Sequence, residues 1–295
     1  MRLEIDLHKG VLEGLQRDWN RRFVMNVEYN PQLGFRRTIF EGNFDFLLQI
    51  ADCRAENGLT FTVDTYKGRK ADVKISFPRR DVFRFQMFPS GKSEKGGNPV
   101  FDFPYEGEAE LKECGDYYEY GNERLTLRFR KAYWEMSVFF DGKALTREQI
   151  FDTNVDNRWK YLPVGYSFDE EGNWNRVWES MYLYSDEAFW GFGEKFTGLN
   201  KRGQKLNCWQ KDALCTNTED SYKGHPFFIS SRGYAVLLNT YTRSAFDMGA
   251  GSQVSYSMSC EDGALDYVFF AGSDRDYKGL LAGYIEMTGK IPMIP

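Results

Sequence analysis

The chain has 295 residues and a formal net charge of −5, with acidic and basic residues interspersed rather than grouped in a basic stripe, which argues against nucleic acid as a partner. No apolar run reaches the ~18–20 residues that a membrane span needs, and the N-terminal residues lack the uninterrupted apolar core of a signal peptide, so we expect a cytoplasmic protein with no membrane partner. The aromatic content of 17% is high; aromatic residues favour strands and also supply stacking faces for sugars.

From Phe23 to Phe140 apolar and polar residues alternate, which is typical of strands with one buried face. The alternating sets are centred on Met25, Phe61, Ile75, Phe85, Leu127 and Met136. Phe44–Ile50 is more continuously apolar, as in a strand buried on both faces. Asp141-Gly142 predicts a hairpin turn, and Ser90–Asn98 predicts a mobile loop inserted in the strand series. Short strands joined by short turns predict an all-β fold, with antiparallel sheets stacked as a sandwich.

One long helix is predicted near the C-terminus. Ser273 is the candidate N-cap, with Asp276 three residues later in a variant of the capping box. Gly289 is placed as the C-terminal stop. The predicted apolar face consists of Tyr277, Leu280, Leu281, Tyr284 and Ile285.

Metal and disulfide chemistry are disfavoured by the cysteine and histidine usage. The chain has only two histidines, His8 and His225, so a Ser-His-Asp triad or a histidine metal site is hard to assemble. No C-x-x-C pair is present, and the cysteine number is odd, so we expect buried reduced thiols and no cofactor or metal. The five cysteines are Cys53, Cys114, Cys208, Cys215 and Cys260.

The run from Phe189 to Met248 is the densest in glycine, aromatic and charged residues. Gly191 and Gly193 flank Phe192, but a dinucleotide fingerprint would need a third glycine and a βαβ unit, so they predict a close backbone approach at a strand or bulge. Glu194 could be catalytic; we interpret it instead as a partly buried carboxylate paired with a basic neighbour.

The loop from Asn207 to His225 is long and polar, which is typical of a functional segment. Trp209 and Asp212 form a plausible sugar site in it, because a carboxylate accepts hydrogen bonds from sugar hydroxyls and an indole ring stacks on a sugar face. The same two residues can equally anchor the loop, and the residues alone leave both alternatives open. His225 is interpreted as structural.

Several motifs in this run resemble a known family. The segments GFGEKFTGLNKRGQ, CWQKD, SYKGHPFFISSRGYAVLLNT and FDMG, in this order, are similar to the N-terminal β-sandwich of glycoside hydrolase family 31, which includes α-glucosidases and α-xylosidases. The resemblance is strong from about Glu179 to Pro295 and rests mainly on strand pattern before that. It implies a galactose mutarotase-like supersandwich over 1–272, then a helix and linker over 273–295 that lead toward a catalytic (β/α)8 barrel missing from this chain.

The resemblance also implies a function. Family members are retaining enzymes whose nucleophile and general acid are barrel aspartates, so this chain is expected to pack on the barrel and to be inactive alone. Asp212, the acidic residue of the W-x-x-D segment, is then expected to contact hydroxyls of an α-linked oligosaccharide at the leaving-group side, with Trp209 beside it. Family members are often oligomeric, so a homo-oligomer is a further possibility.

Two other functions stay open as alternatives. The chain can be a free-standing carbohydrate-binding module that uses the same aromatic loop; Gly289–Pro295, which resembles the entry to another domain, argues against it. It can also be a mutarotase-like epimerase, which needs a general acid and a general base. His225 with Glu219 or Asp220 is the candidate pair for that chemistry.

Overall fold

The computed structural model describes residues 44–89, 99–101, 103, 109–148, 164–168, 174–212, 221–290 and 292, and these form eighteen strands and one helix. The helix is α1 (Tyr277–Thr288). The strands are β1 (Phe44–Arg54), β2 (Leu59–Thr65), β3 (Lys70–Arg79), β4 (Val82–Pro89), β5 (Glu110–Cys114), β6 (Tyr117–Gly121), β7 (Leu125–Arg130), β8 (Glu135–Phe140), β9 (Lys143–Arg147), β10 (Gly165–Phe168), β11 (Trp174–Tyr182), β12 (Phe189–Gly193), β13 (Lys205–Cys208), β14 (Gly224–Ser230), β15 (Tyr234–Leu238), β16 (Ser244–Asp247), β17 (Ser255–Cys260) and β18 (Leu265–Ala271).

Every pairing between these strands is antiparallel, as the short turns predict. The predicted hairpin is confirmed: Asp141 and Gly142 join β8 to β9 with φ values of 46° and 75°, the left-handed backbone of a two-residue hairpin turn. The alternation around Met25 and the predicted loop Ser90–Asn98 lie outside the described residues.

Thirteen strands form one sheet, in the order β12-β14-β15-β18-β4-β3-β2-β1-β10-β11-β17-β16-β13, and β1 makes it continuous. The first residues of β1, Phe44–Phe46, pair with β10, whereas the strand from Leu47 onward pairs with β2. Register shifts follow Leu47 and Ile50, and such bulges bend a strand. The bend divides the sheet into a front layer (β12-β14-β15-β18-β4-β3-β2) and a back layer (β10-β11-β17-β16-β13).

The main core lies between the front layer on one side and, on the other, the back layer and the five-stranded sheet β5–β9. The ring centroids of Phe189 in β12 and Tyr256 in β17 are 5.0 Å apart, so the front and back layers are in direct contact. The remaining five strands, β5 to β9, form a small sheet, and its Phe129 lies 4.9 Å from Phe61 of β2. All four rings are buried. The predicted all-β antiparallel sandwich is therefore confirmed.

Helix α1 covers the opposite face of the front layer. Leu280 is buried in a second apolar cluster, and the ring of Tyr284 lies 4.4 Å from that of Phe227 in β14. Leu281 and Ile285 are exposed, so the part of the predicted apolar face that meets the sheet is narrower than expected. The predicted division of the chain at residue 272 stays a prediction. No helix among the described residues is long and apolar enough to cross a membrane.

The helix starts later than the sequence predicts, and the assignment of Ser273 as N-cap is wrong. Asp276 is the N-cap, because its carboxylate accepts a hydrogen bond from the backbone N–H of Gly279 at 2.9 Å. The predicted end is confirmed: the Gly289 N–H donates to the Ile285 carbonyl at 2.9 Å, and Gly289 has a φ of 104°.

Candidate functional site

A glycine bulge ends β12 and fixes it against the start of β14. The register shifts between Gly191 and Gly193 opposite β14. A Cβ atom on Gly191 would lie 2.4 Å from the Phe227 carbonyl oxygen, and one on Gly193 would lie 1.9 Å from the Lys223 carbonyl oxygen. Only glycine fits such an approach, so the predicted close contact at a strand or bulge is confirmed.

The charged residues after the bulge pair with one another. Glu194 is bonded to the ammonium of Lys223 at 3.0 Å, so its partner is basic but is not a neighbour in sequence as expected. Both side chains are largely exposed, so the expected partial burial of Glu194 is wrong. The exposure follows from its position on the outer edge of the sandwich. Lys195 instead reaches the neighbouring back layer, where its Nζ donates to the Asn207 carbonyl at 2.5 Å.

Trp209 and Asp212 both follow β13, the strand at the outer edge of the back layer. Trp209 is 51% exposed, and Asp212 is exposed as well. The sequence prediction that they share a loop is therefore correct, but a sugar contact for either residue stays a prediction. Glu219, Asp220 and Cys215 lie outside the described residues.

Gln210 fastens the stem of this loop. Its Nε2 donates to the Gly224 carbonyl at 2.7 Å, and its Oε1 accepts from the Gly224 N–H at 3.0 Å. Next to it, the Lys211 N–H donates to the Ser221 carbonyl at 3.1 Å. A Cβ on Gly224 would lie 3.3 Å from the Cys208 Cα, so the two stem segments pack backbone to backbone. Gln210 is a site residue that the sequence motifs do not single out, although its position beside Trp209 in the CWQKD segment is an available signal.

A cleft of about 360 Å³ opens beside Trp209, at the mouth between the front and back layers. It is formed where β13 and β15 end and where β14 and β16 begin. Tyr241, 67% exposed, stands at its rim. Asp212 is not among the residues that line it. The lining includes Trp209, Tyr241, His225, Thr240, Thr242 and Ser244.

Asn239 builds one wall of the cleft. Its side-chain oxygen accepts hydrogen bonds from the N–H groups of Val100 and Phe101, both at 2.9 Å. Its amide nitrogen donates to the Phe101 carbonyl at 2.9 Å and to Asp266 at 3.2 Å. Because Asn239 is buried at the end of β15, it holds this short segment against the front layer.

His225 forms part of the cleft lining and also ties β14 to α1. Its Nε2 lies 2.8 Å from the hydroxyl oxygen of Tyr284. Burial lowers the pKa of His225, so the imidazole is neutral at pH 7. This packing agrees with the structural role predicted for it.

The four described cysteines are free thiols, as expected, but only two of them are buried. Cys208 and Cys260 are buried free thiols, whereas Cys53 and Cys114 are half-buried. Burial, and secondarily the charge of Asp52, raises the pKa of Cys53 to about 11, so it stays a thiol at neutral pH. Among the described residues no group of three or more His, Cys, Asp or Glu side chains is arranged to hold a metal ion.

Comparison with known proteins identifies the family. Residues 72–247 match the model of the glycosyl hydrolase 31 N-terminal galactose mutarotase-like domain. Alpha-glucosidase 2 of Bacillus thermoamyloliquefaciens is 26% identical over 233 residues, which are 76% of this chain and 27% of that protein. Alpha-xylosidase XylQ of Lactiplantibacillus pentosus is 30% identical over 175 residues, which are 59% of this chain and 21% of that protein.

A solved structure shows the same fold. The cycloalternan-forming enzyme from Listeria monocytogenes, in complex with a pentasaccharide substrate, has a TM-score of 0.73 and 23% identity over 85% of this chain and 23% of its own. This chain thus spans about a quarter of the length of the relatives it matches. Because the family model covers more than half of its residues, the chain belongs to the family of glycosyl hydrolase 31 N-terminal galactose mutarotase-like domains.

Proposed function

We propose that this chain is the non-catalytic N-terminal domain of a family 31 α-glycosidase and that it supplies the loop of Trp209 and Asp212 to a sugar pocket shared with the catalytic barrel. The observation that carries the proposal is the fastened loop stem. Gln210 bonds both backbone groups of Gly224, so Trp209 and Asp212 leave the sandwich from a fixed point. A binding group gains affinity when it is held in position before the ligand arrives.

The chemistry of the two side chains suits an α-linked oligosaccharide. The exposed Asp212 carboxylate accepts hydrogen bonds from sugar hydroxyls, and the half-exposed Trp209 ring offers an apolar face. Two relatives are named an α-glucosidase and an α-xylosidase, which supports an α-glycoside as substrate of the whole enzyme. The choice between these sugars then lies in the barrel.

The absence of a catalytic role is supported by where the perturbed carboxyl groups lie. Retaining hydrolysis needs two carboxyl groups about 5–5.5 Å apart that flank the glycosidic bond. Glu148, Glu179 and Glu187 have pKa values raised mainly by burial, but all three are enclosed between the sheets, where no sugar can reach them. In the part of the chain that the structure describes, they do not line the cleft.

The docking surface for the barrel is the end of the sandwich that carries the loop. Phe196 and Leu199 follow β12 there, Tyr222 precedes β14, and all three are exposed. Glu194 and Lys223 join these two segments. A contact between domains typically buries roughly 600–1,500 Å² of surface. The exposed apolar side chains make this end of the sandwich a better contact surface for the barrel than its polar faces. The cytoplasmic location and self-association stay predictions.

The proposal is tested in two steps. The purified chain should not hydrolyse aryl α-glucosides or aryl α-xylosides, and sustained turnover by homogeneous protein would overturn the non-catalytic role. In the intact enzyme, Asp212→Ala should lower kcat/KM for an α-linked disaccharide, because a hydroxyl contact is lost. Asp274→Ala, an exposed acidic residue before α1, is the matched control. Equal kinetics of Asp212→Ala and the control would remove Asp212 from the pocket.

A further inference from the structure

Lys201 is a buried cation that has no carboxylate partner among the described residues. It is only 3% exposed, and its backbone N–H donates to the Phe189 carbonyl at 2.8 Å. Its Nζ donates to the Thr197 hydroxyl at 3.0 Å and to the Thr197 carbonyl at 3.4 Å. Burial, and secondarily the charge of Lys195, lowers the pKa of Lys201, whereas an adjacent carboxylate would raise it. A buried charge without an opposite charge is unfavourable, so this ammonium favours an anion nearby.

The residues from Thr197 to Asn200 form an exposed turn over this ammonium, here called the Thr197 turn. Its carbonyl groups are bonded from below, because Gln204 Nε2 donates to the Asn200 carbonyl at 2.8 Å and to the Gly198 carbonyl at 3.4 Å, and the ammonium takes the Thr197 carbonyl. In a trans peptide the C=O and the next N–H point in opposite directions. The N–H groups of Gly198 and Leu199 therefore face outward, and no described residue accepts from them.

The Thr197 hydroxyl passes the charge of the ammonium to the surface. Its oxygen accepts from Lys201 Nζ, so its own proton is left to donate to an acceptor outside the turn. Hydrogen bonds in a chain polarise one another, and a charged donor at the inner end strengthens the outer bond. The hydroxyl and the two outward N–H groups are three donors above a positive charge. Such backbone nests bind anions.

The surroundings of the turn favour a protein partner over a free anion. Phe196 is 53% exposed and Leu199 is 84% exposed, so a small anion bound between them would leave both side chains in water. The segment Gly193–Lys205 carries four cations and one acid, Glu194, and that acid is bonded to Lys223. Charge complementarity therefore selects a surface that presents a carboxylate among apolar side chains.

We propose that the Thr197 turn binds a carboxylate side chain of the catalytic barrel. The carboxylate accepts hydrogen bonds from the Thr197 hydroxyl and from the two outward N–H groups, and it neutralises Lys201. Apolar side chains of the barrel around it cover Phe196 and Leu199. The charged contact fixes the orientation of the barrel on the sandwich more than it adds affinity. This docking rests on the proposed function, because its partner is the barrel, and it adds the chemistry of the group that the barrel presents.

The experiment is hydrogen exchange, read by mass spectrometry, of the Thr197 turn in the intact enzyme and in the separate 295-residue chain. Exchange should be fast in the separate chain, because the outward N–H groups have no acceptor, and slow in the intact enzyme. Lys201→Met should speed exchange in the intact enzyme about tenfold, as when a bond to a charged group is lost, and should leave the separate chain unchanged. Lys74→Met removes an exposed cation from β3 and is the control. Equal exchange in Lys201→Met and the parent enzyme would overturn the proposal.

A pair of variants at Thr197 isolates the hydroxyl. Thr197→Val retains the shape of the side chain but cannot donate, so exchange in the intact enzyme should become faster. Thr197→Ser keeps the donor and should exchange like the parent. Circular dichroism and thermal melting establish that each variant is folded. If Thr197→Val is as well protected as Thr197→Ser, the hydroxyl does not bond to the barrel and the proposal is overturned.

The same data separate this docking from the proposed function. An unprotected turn in the intact parent enzyme would overturn both this docking and the placement of the barrel at the loop-bearing end. A turn that is protected in the parent and equally in Lys201→Met would overturn the carboxylate contact alone. Protection that rises with the concentration of the separate chain, together with a dimer in sedimentation, would identify a second copy as the partner. Protection of the separate chain by sodium sulfate, but not by sodium chloride of equal ionic strength, would identify a free anion. Either result would overturn the assignment to the barrel.

Discussion

The carboxyl groups of Glu148, at the end of β9, and Glu179, in β11, form a completely buried pair. One oxygen of each accepts a backbone N–H, from Met136 at 2.8 Å and from Ser180 at 2.9 Å. Burial, and secondarily the charge of Glu135, raises the pKa of Glu148 to about 8. Burial, followed by the charge of Glu148, raises the pKa of Glu179 well above its usual value. The folded domain therefore retains protons that the unfolded chain releases.

This pair predicts that stability falls as the pH rises. Between about pH 4.5, the usual value for Glu148, and pH 8 the folded state binds more protons than the unfolded state, so the free energy of unfolding decreases by up to about 1.4 kcal/mol per pH unit for each retained proton. The loss levels off above the folded pKa. Urea unfolding at several pH values measures it.

Glu148→Gln should flatten this slope and raise the stability at pH 8 relative to the parent. Glu123→Gln, at an exposed position, is the matched control and should leave the slope unchanged. Some slope will persist in Glu148→Gln, because burial also raises the pKa values of Glu187 and Asp266. His225 acts with the opposite sign at acidic pH, since its pKa is lowered and protonation destabilises the fold. If the pH dependence of the unfolding free energy is unaltered in Glu148→Gln, it does not arise from the Glu148–Glu179 pair.

Gly193→Ala should be strongly destabilising. The added Cβ would lie 1.9 Å from the Lys223 carbonyl oxygen, so β12 must separate from β14, at a cost of about 2–4 kcal/mol. Gly68→Ala is a close control, because Gly68 has nearly the same φ, 74° against 75°, and nothing lies within 4 Å of its Cβ position. It should cost about 1 kcal/mol, the backbone strain alone. Chemical denaturation gives the free energy of unfolding of both variants. Similar losses would show that the close contact at Gly193 does not add to the destabilisation.

Gln210→Ala should loosen the loop stem without unfolding the domain. It removes two hydrogen bonds to Gly224, each contributing about 0.5–1.5 kcal/mol. Hydrogen exchange at the Gly224 amide should become faster, while exchange in the central strands should be unchanged. Gln210→Glu keeps an acceptor for the Gly224 N–H and should give an intermediate rate. Protection of Gly224 equal to that of the parent would mean that the backbone contacts hold the stem unaided.

Asn239→Ala should destabilise the domain. The substitution leaves the N–H groups of Val100 and Phe101 without their acceptor and exposes the wall they form, at a cost of about 2–3 kcal/mol. Thermal unfolding gives the stability loss. Asn122→Ala removes an amide from an exposed turn and is the control, with a smaller expected loss. Equal losses of stability in the two variants would argue against the role of Asn239 in holding Val100 and Phe101.

The fold was largely predictable because its strands carry a local pattern. In β2, Leu59, Phe61 and Val63 alternate with polar residues, and the same residues are buried in the structure. The helix start was missed because Ser273 and Asp276 are both good N-cap residues. Tyr277, the first residue of the helix, contacts Trp190 in β12, and no local pattern shows this contact.

The candidate site was predictable only where its residues are neighbours in sequence. Trp209 and Asp212 lie three positions apart, and so a motif reveals them. Gln210 bonds to Gly224, fourteen residues away, and Tyr241 lines the same cleft as Trp209 only because the ends of four strands converge. The pairing of Glu148 with Glu179 likewise depends on two strands whose proximity is set by the whole sandwich. Such relationships follow from topology rather than from periodicity.

The path of the thirteen-stranded sheet has a consequence for self-association by strand addition. Its two outermost strands, β12 and β13, would ordinarily offer unpaired backbone groups to another polypeptide. The bend at β1 brings these borders to the same end of the molecule, where Lys195 reaches the Asn207 carbonyl and Gln210 takes up both backbone groups of Gly224. Side-chain hydrogen bonds thus link two sheet edges that backbone pairing does not join. This arrangement disfavours the addition of a strand from another polypeptide at these edges.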